Sequence, residues 1–100
     1  MAREFTFTAQ VWLWKGDSSW HFISLPEDAA DEIEDLTHGM TGGFGSVPVE
    51  VQAQDVVWHT SLFPDRKSGT YLLPLKKQVR QKLGCEAGSS LTVTVRVRER

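Results

Sequence analysis

Apolar and polar residues alternate one for one near the start of the chain. Phe5, Phe7, Ala9, Val11 and Leu13 fall on one side, and Glu4, Thr6, Thr8, Gln10, Trp12 and Trp14 on the other. A period of two is that of a half-buried strand, which predicts a first strand over residues 4–14. The polar run Lys15-Gly16-Asp17-Ser18-Ser19 has turn chemistry and leads into a second strand from Trp20 to Leu25, expected to lie antiparallel to the first. Pro26 suits the first turn of a helix, where its missing N–H would have no partner anyway. Ala29, Ile33 and Leu36 then recur at helical spacing, and Gly39 offers a stop. The glycine-rich stretch 37–46 reads as a loop.

Beyond it, Val47, Val49, Val51 and Ala53 alternate with Pro48, Glu50, Gln52 and Gln54 as a third strand. Gln54-Asp55 forms the expected tight turn into a fourth strand over 56–63. Residues 64–69 read as a polar loop and 70–73 as a short fifth strand. A second helix carries Leu75, Val79 and Leu83 on one stripe and ends at Gly84. Residues 86–89 turn the chain into a last strand with Leu91, Val93, Val95 and Val97 inward and Thr92, Thr94, Arg96 and Arg98 outward.

One phrase occurs twice. An aromatic strand ending in Leu-Pro, a charged helix and an alternating valine strand appear first with Leu25-Pro26 and again, 48 positions on, with Leu73-Pro74. Six strands in a short chain leave edges to be hidden, and closing the sheet removes them. The expectation is therefore a mainly β fold: a six-stranded closed or split barrel built from two strand-helix-strand halves, with the helices capping its ends. An open α+β sandwich is the alternative.

A chain of 100 residues makes one domain over residues 1–100. Its 40% hydrophobic and 24% charged residues are ordinary for a globular protein, and a net charge of −2 gives no overall attraction to polyanions. A single cysteine, Cys85, cannot form an internal disulfide, and no stretch is long and apolar enough to be a signal peptide or membrane span. The cytoplasm is the expected compartment.

Trp20-His21-Phe22-Ile23-Ser24-Leu25-Pro26, Thr60-Ser61-Leu62-Phe63-Pro64 and the segment from Gly69 to Gly88, with its core Tyr71-Leu72-Leu73-Pro74-Leu75-Lys76-Lys77-x-Val79-Arg80-x-x-Leu83-Gly84, resemble the domain-of-unknown-function family DUF1905 over nearly the whole chain. The resemblance implies a small β-barrel of bacterial and archaeal proteins with no established activity. Leu73-Pro74, Val79-Arg80-x-x-Leu83-Gly84 and Gly88 are also similar to a phrase of the AbrB-like and MazE-like swapped-hairpin regulators, with Ser89 where those families usually have Asp. That likeness implies a DNA-associated regulator or antitoxin-type dimer as the alternative function.

The two helices invert in charge. Glu27, Asp28, Asp31, Glu32, Glu34 and Asp35 make the first acidic, and Lys76, Lys77, Arg80 and Lys82 make the second basic. Acids near a helix start are favoured by its dipole, whereas Lys76 and Lys77 at a helix start are not. With Arg66 and Lys67 in the preceding loop, Arg66, Lys67, Lys76, Lys77 and Arg80 form a candidate anion site for a small ligand or partner protein. The competing reading is a solvated basic face, or pairing with the acidic helix of the same or a neighbouring chain, which also permits a homodimer. The six acids of the first helix argue against duplex DNA.

Trp12, Trp14 and Phe44 are candidate partner-surface residues: the two tryptophans on the polar side of the first strand, Phe44 amid glycines. The chain holds no defensible catalytic set. Ser61 and His59 are two apart on one strand without a nucleophile-turn motif, and His21, His38 and His59 lack the spacing of metal ligands. Thr41-Gly42-Gly43-Phe44-Gly45 lacks the Lys-Ser/Thr of a phosphate loop. No cofactor is expected. The sequence as a whole predicts a non-catalytic binding module.

Overall fold

The computed structural model describes residues 4–15, 20–38 and 45–98. Seven strands and two helices follow one another as β1 (Glu4–Gln10), β2 (Trp12–Leu13), β3 (His21–Ser24), α1 (Glu27–Thr37), β4 (Val47–Ala53), β5 (Val56–Asp65), β6 (Thr70–Pro74), α2 (Lys77–Leu83) and β7 (Ser90–Val97). The strands make one curled sheet in the order β1-β7-β4-β5-β6-β3-β2, with every neighbouring pair antiparallel. The molecule is thus mainly β, a half-barrel sheet with two helices.

The extra strand arises because the first one breaks. Its alternation runs unbroken through Val11 in the sequence, yet β1 pairs with β7 whereas β2 pairs with β3. Val11 is the bend, with only 2% of its surface exposed. Its N–H donates to the Ser89 carbonyl at 2.9 Å, and its own carbonyl accepts from the Gly88 N–H at 2.8 Å. The two end strands of the sheet are therefore consecutive stretches of chain, and the bend between them curls the sheet. Leu13, expected inward, lies past the bend and is exposed.

Valine alternation decides the interior. Val47, Val49 and Val51 of β4 and Val93 and Val95 of β7 are all but fully buried, together with Ile23, Leu62 and Leu73. Ile33 reaches this core from α1, and Phe5, Phe7, Ala9 and Trp58 pack against it from the sheet. The Gln54-Asp55 turn is as short as expected, because Ala53 faces Val56 directly. Gln54 takes a left-handed φ of 54°, and its amide reaches the Leu83 carbonyl at 3.4 Å, tying this hairpin to the end of α2. By contrast β5 continues past Phe63 through Pro64, opposite Tyr71, to Asp65, where a loop was expected. In α1 the buried positions are Ala29, Ala30, Ile33 and Thr37, not Leu36. The Thr37 hydroxyl donates to the Ile33 carbonyl at 2.7 Å, so its burial leaves no unpaired polar atom. The expected stop at Gly39 lies outside the described residues.

The two strand-helix-strand segments interlock. β3 pairs with β6 and β4 with β7. The Leu25 N–H donates to the Tyr71 carbonyl at 3.0 Å, and the Leu75 N–H donates to the His21 carbonyl at 2.9 Å. These reciprocal bonds relate Leu25 to Leu75 and His21 to Tyr71, an interval of 75 − 25 = 71 − 21 = 50 residues in place of the 48 read from the Leu-Pro phrase. Pro26 and Lys76 then hold equivalent places, each the extended residue before a helix.

Candidate functional site

Register divides the outer face of the sheet into two unlike halves. On β1 and β7, Thr6 faces Thr94 and Thr8 faces Thr92, with hydroxyl contacts of 2.8 and 2.6 Å. On β2, β3 and β5 the same face carries aromatic rings, and on β6 it carries Leu72 and Pro74. Phe22 is the hub: its ring centroid lies 5.4 Å from Trp12, 5.7 Å from Trp14 and 6.1 Å from Trp20. Phe22 is buried beneath them, but Trp14 is 45% exposed, Trp20 57% and Phe63 45%. Leaving large rings in water forfeits burial energy of roughly 25 cal/mol per Å², so the cluster is a costly exposed apolar patch.

Beside this cluster lies an open groove of about 660 Å³. Pro48 faces Ser61 across β4 and β5, and Phe22 faces Pro74 across β3 and β6, and all four line it. Trp20, Phe63 and His59 line it too, and Lys76 and Arg98, both exposed, bring positive charge to it. Arg98 is placed there by its N–H, which donates to the Pro48 carbonyl at 3.0 Å. The volume falls in the range of roughly 300–1,000 Å³ typical of small-molecule sites.

The cations proposed from sequence do not converge. Lys76 lines the groove. Arg66 lines a different cavity of about 360 Å³ between the end of α1 and the β5–β6 turn, which shares no lining residue with the groove. Lys67 is exposed in that turn, where its N–H donates to the Asp65 carboxylate at 3.3 Å, and Lys77 is exposed on α2. Arg80 is half-buried and already engaged. Its Nε donates to the Leu75 carbonyl at 3.1 Å and its Nη1 lies 3.3 Å from Nε2 of His21. Both contacts draw the guanidinium back toward β3 and the start of α2.

The supposed conflict between α2 and its own cations also largely disappears. Lys76 precedes the helix, only Lys77 lies in its first turn, and Arg80 and Lys82 occupy its last turn, where the dipole favours positive charge. Gly84 closes α2 in a left-handed conformation, φ 65°, with its N–H aimed at the Arg80 and Gln81 carbonyls.

Of the candidate partner residues, Trp12 is half-buried and its indole N–H donates to the Ser24 hydroxyl at 3.0 Å, whereas Trp14 is open to solvent. Phe44 lies outside the described residues. Sequence reasoning missed Trp20, Phe63 and Arg98 as a group. Its one usable signal was the outward phase of Arg98 in the β7 alternation.

No three side chains of His, Cys, Asp or Glu gather as metal ligands among the described residues. His59 sits across from Glu50, with Nε2 3.1 Å from its carboxylate, an exposed cross-strand pair. The second cavity holds Glu34, Thr37, His38, Asp65 and Tyr71 besides Arg66. Burial pushes the Tyr71 hydroxyl above its usual range, opposed by a hydrogen bond with Thr37 and reinforced by the charge of Glu34. The Cys85 thiol is likewise raised by burial, against the opposing effects of its backbone hydrogen bond and of Arg80. A raised pKa is the reverse of what an activated thiol needs.

A curled antiparallel half-barrel with two helices and an aromatic outer groove is the class that fold and site define. Residues 7–95 match the family described as a domain of unknown function, DUF1905, and the chain belongs to that family. No curated protein matches it.

Proposed function

We propose that this chain is a non-catalytic binding module, and that its site is the outer groove rather than the basic loop and helix together. It takes a small ligand or partner segment with an apolar body and an anionic end. One observation carries this reading: Trp20 and Phe63 stand open to water on the same groove to which Lys76 and Arg98 bring charge. An apolar wall with a few placed charges is the usual composition of a ligand site. The Glu50–His59 pair and the raised Cys85 thiol favour binding over catalysis, since neither presents a base beside a nucleophile. The six acids of α1 also weigh against the duplex-reading alternative. Because its single cysteine, Cys85, can form no internal disulfide, the cytoplasm remains the compartment we favour.

We further read the curled sheet as a split barrel, because its end strands join covalently through Val11. The interlocked β3-α1-β4 and β6-α2-β7 segments are then the two halves of an internal repeat, an arrangement supported by their reciprocal hydrogen bonds.

Calorimetric titration with decanoate, a saturated anionic amphiphile, tests the binding role. One saturable site that weakens as salt is raised is the expected result. Binding indifferent to salt contradicts it, as does failure of every anionic amphiphile, aliphatic or aromatic, to bind.

A further inference from the structure

The groove's walls narrow the ligand class. Resting on the binding role just proposed, we infer that the apolar body of the ligand is a planar aromatic ring, joined to a single phosphate or carboxylate. The ring stacks on the Trp20 indole and the anion meets Lys76 and Arg98.

Trp20 is the most exposed large hydrophobic residue described, at 57%. Its only described ring contact is tilted, 43° from the plane of Phe22 with centroids 6.1 Å apart, so Phe22 does not cover either indole face flatly. Trp14, by comparison, is stacked on Trp12 at 29° and also meets the edge of Phe22. The indole, more than half exposed, lines the same groove as Phe22, Pro74 and Phe63. A flat ring gains quadrupolar stacking there beyond what its area alone supplies, and a flexible alkyl chain does not.

Charge sets the rest of the ligand. Two exposed cations on the groove suit one anionic group, held by charge-assisted hydrogen bonds. A polyanion would carry further phosphates onto a molecule of net charge −2 with an acidic helix, and would be repelled. Nucleoside monophosphates and simple aryl acids share the required chemistry.

The test compares 2-naphthoate, adenosine monophosphate and decanoate by calorimetry, on the wild-type chain and on Trp20→Leu, which keeps an apolar side chain but removes the ring. At least one of the two aromatic anions is expected to bind about tenfold more tightly than decanoate, the scale of one stacking contact. Trp20→Leu should erase that margin with its melting temperature unchanged. Preference for the nucleotide over naphthoate would identify the source as a nucleotide, and the reverse an aryl acid; both support the inference. Equal affinity for decanoate and both aromatic anions overturns it while leaving the binding role intact. No binding of any of the three overturns both. A margin that survives Trp20→Leu, or tighter binding of a short single-stranded oligonucleotide than of either aromatic anion, also overturns the inference.

Discussion

Leu73→Ala is expected to destabilise the protein by about 2–5 kcal/mol, the range for truncating a fully buried leucine. Leu73 has no exposed surface and faces Ile23, equally buried, across the β3–β6 ladder where the two strand-helix-strand segments interlock. The lost methyl groups leave a cavity that two hydrogen-bonded strands cannot collapse around. For a domain of this size that loss lowers the melting temperature by on the order of 10–30 °C and removes a large share of a total stability of roughly 5–15 kcal/mol. Phe63→Ala, on the outer face of β5, is the contrast. Phe63 is 45% exposed, and its loss is expected to change stability by no more than about 0.5 kcal/mol. Thermal and urea melts of the two variants check both values, and comparable losses would mean that the outer rings are core rather than contact surface.

Reversing Lys76 and Arg98 to glutamate together is expected to weaken binding of an anionic amphiphile by roughly 10–100-fold, as two charge-assisted contacts become repulsions. The same double reversal at Arg66 and Lys67 is expected to leave affinity within about twofold, because Arg66 belongs to the cavity beside α1 and Lys67 is exposed in the β5–β6 turn. All four side chains are exposed, so neither variant is expected to disturb folding. The pair of variants separates the groove from the continuous basic site that the sequence proposes. Equal losses in both would restore the larger site.

Local alternation carried most of the fold into the sequence. Val47, Val49 and Val51 face inward, and so do Val93, Val95 and Val97, as a period of two requires. The Gln54-Asp55 turn was equally legible, because a two-residue connection between alternating strands has few geometries. The bend at Val11 was not. Nothing local interrupts the alternation there, and the bonds that hold it come from Gly88 and Ser89 at the far end of the chain. Pro64 misled for a related reason: proline is usually a strand breaker, yet it can sit in a ladder where no donor is required of it.

The site was less legible than the fold. Helix charge is a composition-level signal, and it grouped Lys76, which lines the groove, with Arg66 and Lys67, which share its sign and neighbourhood in sequence but do not line that groove. The sequence places Arg80 in the anion site because nothing in it shows that Leu75 and His21 engage its guanidinium. Pro48, Ser61, Pro74, Phe22 and Arg98 come from five strands or their ends, and only the sheet order brings them together.

The most direct test of the binding groove is a nitrogen-15 NMR titration of the whole chain with 2-naphthoate and with decanoate, following backbone amides and tryptophan side-chain N–H groups. The largest shifts are expected on Trp20 and its indole, His21, Phe22, His59 to Phe63, Leu75, Lys76 and Arg98, while the threonine half of the outer face stays still. Shifts concentrated on α1 or around Arg66 and Tyr71, with the groove unmoved, would contradict the groove as the binding site.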